Sequence, residues 1–249
     1  MDTWPVVEAS GWRLAGEEPA GLQVHTWLAH PDHERTWLFK QRQPAEPGPF
    51  HEDLTEKAAA EIGRRLGVPC ATVELAERHE QRGCLVEDLR LSDWEDQPGQ
   101  VLLQPYASGA EHLVNPGHSI DNIRRALAGM ESPPAASHLE AFSAFDVFSG
   151  YLVFDALIAN TDRHDRNWAV LRRPPGQQGQ DLLCGSFDHA SSLGFNVTDD
   201  KRTRLLDAGG VSSWALLGKA RQLERQRGAP VHPRGSGAPG IRAVRAART

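Results

Sequence analysis

Apolar and polar positions alternate at the start of the chain with the period of two that marks strands. Gln23–Ala29 alternates weakly, and Thr36–Gln41 reads TWLFKQ, a strand ending in a lone lysine. Period two sets Leu38 and Lys40 on one face and Trp37 and Phe39 on the other. The run PAEPGPF then blocks regular structure as far as Phe50. The period changes next, and the spacing predicts a helix over Asp53–Leu66, closed by Gly67. At roughly 100° per residue, Ala59, Ile62, Gly63 and Leu66 share its core face, Glu56 falls on the edge and Glu61 lands almost opposite. A glutamate against a core face wants a cation, because an unpaired buried charge is costly. Lys40 on the preceding strand is the candidate, and the plain alternative is a solvated glutamate favoured by the helix dipole. Val68–Leu75 and Gly83–Val86 read as strands around a charged turn, Glu77–Arg82. Polar connections containing Pro and Gly follow to Gly117, then a helix over Ile120–Leu127 and a long apolar helix over Leu139–Ala159. Strands first and helices later predict an α+β fold with segregated lobes.

Composition changes this picture in two places. The 249 residues carry 27 Lys plus Arg against 33 Asp plus Glu, a net charge of −6, which weighs against a dedicated nucleic-acid binder. The charge is uneven. No acidic residue follows Glu224, whereas Arg225, Arg227, Arg234, Arg242, Arg245 and Arg248 do. Without those arginines the body has 21 basic against 33 acidic residues. Residues 229–249, rich in Gly, Pro, Ala and Arg, are expected to be a basic disordered tail. Cys70, Cys84 and Cys184 are odd in number and widely spaced, which points to a reducing cytoplasm. The N-terminus lacks the basic start and apolar run of a signal peptide. Phe142–Ala159 is interrupted by Asp146 and Asp155 and reads as a buried helix rather than a membrane span.

The chemistry concentrates in FDALIANTDRHDRNWAVL, Phe154–Leu171, and SFDHASSLGF, Ser186–Phe195. A buried helix runs into the polar loop NTDRHDRN, and WAVL resumes as a strand, so Asp162, Arg163, His164 and Asn167 crowd onto one loop. A carboxylate such as Asp162 can orient or deprotonate an attacking hydroxyl. Asn167 and Asp188 offer hard oxygens suited to Mg²⁺, and Lys40 offers a cation for a nucleotide's phosphates. Each residue also has a plainer role. Loops rich in Asp, Asn and Arg are commonly turns, Asp188 can cap the turn at His189, and His164 is expected to brace the loop rather than act as a base.

NTDRHDRNW followed by FDHASSLG resembles the C-terminal region of HipA-like serine/threonine kinases, whose catalytic loop reads N-x-D-x-H-x-x-N. More narrowly it resembles their shorter relatives, in which D-[NH]-[GA]-S-S-L-G follows. The resemblance covers residues 20–215: WLFK is similar to the lysine strand, TEKAAAEIGRRLGV to the helix opened by a glutamate, and IDNIRRAL to the helix that starts the lower lobe. It implies a bilobed protein-kinase-like fold, with 1–88 a small strand-rich N-lobe covering ATP and 89–228 a helical C-lobe carrying the catalytic and metal-binding loops. It implies that Asp162 is the catalytic base, with His164 beside it on the catalytic loop, and that Asn167 and Asp188 hold Mg²⁺. Lys40 then contacts ATP phosphates, Glu56 positions Lys40, and a hinge near Leu85–Asp88, including Val86 and Asp88, carries adenine. The expected cofactors are ATP and Mg²⁺, and the expected partners a protein substrate and an antitoxin-type regulator. No G-x-G-x-x-G precedes Lys40, so another loop must cover the phosphates, and residues 10–22 with Gly11, Gly16 and Gly21 are one candidate. By the resemblance the chain is expected to be a form shorter than the toxin-type members, without their added N-terminal domain. A small-molecule kinase of the same fold and a nucleotide-binding pseudokinase that serves as an interaction module are the alternatives.

Overall fold

A computed structural model describes residues 4–20, 23–42, 51–109, 113–134, 136–210 and 222–226. The chain forms two compact units, Met1–Leu89 with Asp188–Thr203, and Arg90–Phe187 with Arg204–Thr249. Strands dominate the first and helices the second, so the fold is α+β.

The first unit contains β1 (Val6–Glu8), β2 (Arg13–Ala20), β3 (Gln23–Ala29), β4 (Thr36–Gln41), α1 (Glu52–Leu66), β5 (Val73–Arg78) and β6 (Gln81–Glu87). They build a six-stranded sheet in the order β1-β5-β6-β4-β3-β2, antiparallel except for β1 beside β5. Leu28, Phe39, Ala76 and Leu85 are buried together with Ala9, and Trp37 packs against them. The Trp37/Phe39 face of β4 is thus the core face, and Lys40 turns the other way, opposite Cys84 of β6.

The turn between β5 and β6 is tighter than the charges suggest. His79 and Glu80 both take positive φ, 49° and 63°, the backbone of a two-residue hairpin. The strands therefore continue through Glu77 and Arg82, and β5 starts at Val73 rather than Val68.

Helix α1 ends where Gly67 adopts φ 74° and donates back to Arg64, a left-handed closure that glycine takes at no steric cost. Its buried face differs from the apolar projection. Asp53, Thr55, Glu56, Lys57, Ala59, Ala60 and Gly63 are buried, whereas Leu66 is 57% exposed. The polar members are tolerated because each is bonded. Arg42 forks onto Asp53 at 2.8 and 2.6 Å, Lys57 donates to the Val73 carbonyl at 2.7 Å, and Thr55 donates to the Ala190 carbonyl at 2.6 Å.

The second unit holds β7 (Glu95–Pro98), α2 (Gly99–Ala107), β8 (Leu113–Val114), α3 (Ile120–Ala126), α4 (Ala144–Leu157), β9 (Ala169–Arg172) and β10 (Leu182–Leu183). After α5 (Asp199–Asp207), whose residues divide between the units, β11 (Arg225–Gln226) pairs with β8. A small antiparallel sheet runs β10-β9-β7. Neither β7 nor α2 is expected from the polar run before Gly117. Helix α2 is short and contains Pro105, and its first N–H groups find outside acceptors, Gly99 on the Trp168 carbonyl and Gln100 on the Asp165 carbonyl. Gly99 is required there, since a Cβ would lie 2.1 Å from the Trp168 ring.

Helix α4 starts at Ala144 rather than Leu139, because Ser143 caps it in a reciprocal box with Asp146. Those bonds from Ser143 hold the Asp146 carboxyl below its usual range. Phe148, Tyr151, Phe154 and Ile158 of the α4 region are buried with Trp168, Val170, Leu171 and Leu183.

Among the described residues no helix is long and apolar enough to cross a membrane, and the cysteines form no disulfide. The expected tail, residues 229–249, lies outside the described residues. Of the candidate phosphate-covering loop, residues 13–20 are strand β2, and 21–22 lie outside the described residues.

Candidate active-site residues

In the first unit, three sequence-predicted residues meet. Lys40 Nζ lies 2.7 Å from Asp188 Oδ1 and 3.6 Å from Glu56 Oε2. Glu56 is 1% exposed. Its Oε1 accepts from the backbone N–H of His189 at 2.8 Å, while its Oε2 is buried with no hydrogen-bond partner. Burial pushes the Glu56 carboxyl upward, and Lys40 only partly offsets that. Burial alone disfavours the Lys40 ammonium, but the Asp188 and Glu56 carboxylates outweigh it and raise Lys40 above its ordinary range. The neighbouring Cys84 thiol is also pushed up, first by burial and then by the negative field of Glu56. Asp188 has φ 59°, a left-handed conformation that aspartate tolerates better than most residues.

In the second unit, the loop after α4 is held by its own polar groups. Ala159 turns left-handed at φ 53°, and Asn160 N–H returns to the Asp155 carbonyl at 2.8 Å, closing the helix. Asn160 Oδ1 then accepts from Asp162 N–H at 3.0 Å. Asn167 Nδ2 donates to the Asp162 carbonyl at 2.7 Å, which leaves the amide oxygen as the end of Asn167 for another partner. His164 Nδ1 accepts from Arg166 N–H at 3.1 Å, a brace within the loop, and its Nε2 stands 4.0 Å from Asp162 Oδ2.

Beneath the loop lies a buried group whose pairing the sequence spacing does not reveal. Arg163 forks onto both oxygens of Asp155 at 2.8 Å. It also donates to the carbonyls of Asn167 at 2.5 Å and Phe187 at 3.2 Å, and to Ser186 Oγ at 2.9 Å. One guanidinium thus ties the end of α4 to both sides of the loop and to the segment before Asp188. The available signal is Asp155 itself, a charge near the end of an apolar helix that needs a cation just as Glu56 does. Two further residues are missed: Gln222 donates from Nε2 to Asp162 Oδ1 at 2.6 Å, and buried His118 accepts from Trp168 Nε1 at 3.2 Å.

The residues expected at a hinge close β6. Val86 is buried opposite Leu38 and Val73. Asp88 donates its N–H to the Thr36 carbonyl at 3.0 Å and accepts from Thr36 Oγ1 at 2.8 Å. Among the described residues no group of three or more His, Cys, Asp or Glu forms a metal cage.

No family model and no curated protein matches this sequence. Solved structures do match. A Helicobacter pylori proinflammatory kinase, CtkA, is similar at 17% identity and a TM-score of 0.63 over 84% of this chain and 69% of its own. The chain has a kinase-like α+β fold. It is the fold that the HipA-like resemblance implies. A Shewanella oneidensis toxin–antitoxin complex of HipA, HipB and operator DNA also matches, at 13% identity and a TM-score of 0.43, over 82% of this chain and 55% of that one.

Proposed function

We propose that this chain is an ATP- and Mg²⁺-dependent phosphotransferase that moves the γ-phosphoryl group to a serine or threonine hydroxyl of a protein. The observation that carries the reading is the Lys40–Glu56–Asp188 group, anchored on buried Glu56, on a kinase-like fold. A lysine drawn by two carboxylates, hydrogen-bonded to Asp188 and only ion-paired with Glu56 Oε2, is a cation that can exchange Asp188 for phosphate oxygens while Glu56 keeps it in place.

By their chemistry Asp188 would offer Mg²⁺ a carboxylate and Asn167 an amide oxygen, hard ligands suited to a cation that takes few protein ligands and completes its shell with phosphate and water. When bound, that ion neutralises charge on the phosphates. Asp162 accepts the proton of the acceptor hydroxyl, whose oxygen bonds to the γ-phosphorus as the bond to the β-phosphate bridging oxygen breaks and ADP leaves. Asn160 accepts from the Asp162 N–H and Asn167 donates to the Asp162 carbonyl, while Arg163 holds the Asn167 carbonyl, so the protein works mainly by positioning. His164 braces the loop and Val86 and Asp88 face the adenine in this reading.

The test uses radiolabelled ATP with the full chain and casein as a generic hydroxyl acceptor. Asp162→Ala should lose about 10²–10⁴-fold in transfer while calorimetric Mg·ATP affinity stays within about twofold. Transfer retained in that variant excludes Asp162 as the base.

A further inference from the structure

We infer that Gln222 is the positioning residue for the Asp162 carboxylate, a role that deepens the phosphotransferase reading and rests on it. Gln222 lies 60 residues from Asp162 in sequence and donates from Nε2 to its Oδ1 at 2.6 Å. Its own Oε1 accepts from Asn115 Nδ2 at 3.4 Å. The carboxylate only accepts, so the side chain must present nitrogen to Asp162, which turns its oxygen toward Asn115.

The residue is anchored through its backbone as well. The Gln222 carbonyl meets His118 Nδ1 at 2.7 Å, and His118 Nε2 accepts from Trp168 Nε1. A ring that donates from Nδ1 and accepts at Nε2 is a neutral imidazole in one tautomer. Burial agrees, since it holds His118 below its ordinary range. Glu224 completes the attachment, with its N–H on the His118 carbonyl at 2.9 Å and its Oε2 accepting from Gly117 N–H at 2.5 Å. Trp168 directly follows Asn167, which donates to the Asp162 carbonyl. The contacts therefore close a ring: Asp162, Asn167, Trp168, His118, Gln222 and Asp162 again.

The ring suits the chemistry proposed for Asp162. A general base must aim one oxygen at the acceptor, and an aspartate side chain turns readily about its bonds unless something holds it. Asn167 holds the backbone side and Gln222 holds Oδ1, which sets the plane of the carboxylate. The donor is neutral, so it orients the base without supplying a full opposite charge that would quench its basicity.

The experiment is a kinetic and thermal comparison of the full chain with Gln222→Leu and with Gln222→Asn, which keeps an amide but shortens its reach. Transfer from Mg·ATP to casein is followed, and a double-mutant cycle with Asp162→Ala is read by thermal unfolding. Both Gln222 variants should lose about tenfold in kcat, with KM for ATP within about twofold. The cycle should be non-additive. Unchanged kcat in a folded variant overturns the positioning role, as does an additive cycle. A wild-type chain that transfers no phosphate overturns the phosphotransferase reading and this role with it, while the cycle still reports whether the contact exists.

Discussion

Two ion groups, each built around a buried carboxylate, are satisfied to different degrees. In the helical unit, Arg163 meets both oxygens of Asp155 and spends its remaining donors on carbonyls and a hydroxyl. In the strand-rich unit, Lys40 is drawn by two carboxylates at unequal distances, and Glu56 Oε2 has no hydrogen-bond partner. A planar fork of five donors can complete such a network, whereas an ammonium is a compact point charge. The saturated group fixes backbone. The unsaturated one leaves a cation able to change partner, and that is where chemistry is expected.

The comparison breaks most visibly at Arg163. Arg163→Met leaves Asp155 buried without a cation, held among the described residues only by Asn160 Nδ2, and should cost about 3–5 kcal/mol in urea unfolding of the full chain; a loss below about 1 kcal/mol would show that the fork is ornamental. Lys40→Met should cost less, about 2 kcal/mol at neutral pH, because Glu56 can take up a proton. The sign follows from its raised value in the fold. Glu56 favours the native state fully below its ordinary value of 4.5 and loses that contribution as pH rises through the folded value. The destabilisation in Lys40→Met should therefore shrink on acidification, and a penalty independent of pH contradicts the assignment.

His118 sharpens the contrast, since the saturated unit relies on a neutral ring. Its folded value lies below 6.5, so its contribution is complete above that pH and fades as pH falls through the folded value. Unfolding free energy should drop by at most about 1.4 kcal/mol per pH unit there, and His118→Gln should remove that slope. The smallest effect is expected at Leu66, 57% exposed at the end of α1. Leu66→Gln should change stability by no more than about 0.5 kcal/mol, and a larger loss would restore the apolar face read from sequence.

That last residue shows where sequence reasoning ran out. The Lys40 strand was legible because period two separates Lys40 from Trp37 and Phe39, and α1 was legible because Gly67 marks its end. The rest of the face of α1 was not, since counting apolar residues overlooks Asp53, Thr55 and Lys57, buried beside Glu56 with partners elsewhere. The catalytic-type loop was visible as a local motif, whereas the Arg163 network and Gln222 depend on partners that only folding brings together. Helix α2 escaped notice because it is nine residues long and contains a proline, and its opening N–H groups are satisfied by Asp165 and Trp168 rather than by a local cap.

The left-handed backbone at Asp188 acts as a filter on drift. Glycine and asparagine enter such a conformation cheaply, while β-branched and bulky residues are strained there. If the proposed phosphotransfer holds, a lineage that lost it but kept its architecture would most easily record the loss as Asn or Gly at this position. In the laboratory, Asp188→Asn separates the missing charge from a bent chain more cleanly than Asp188→Ala does.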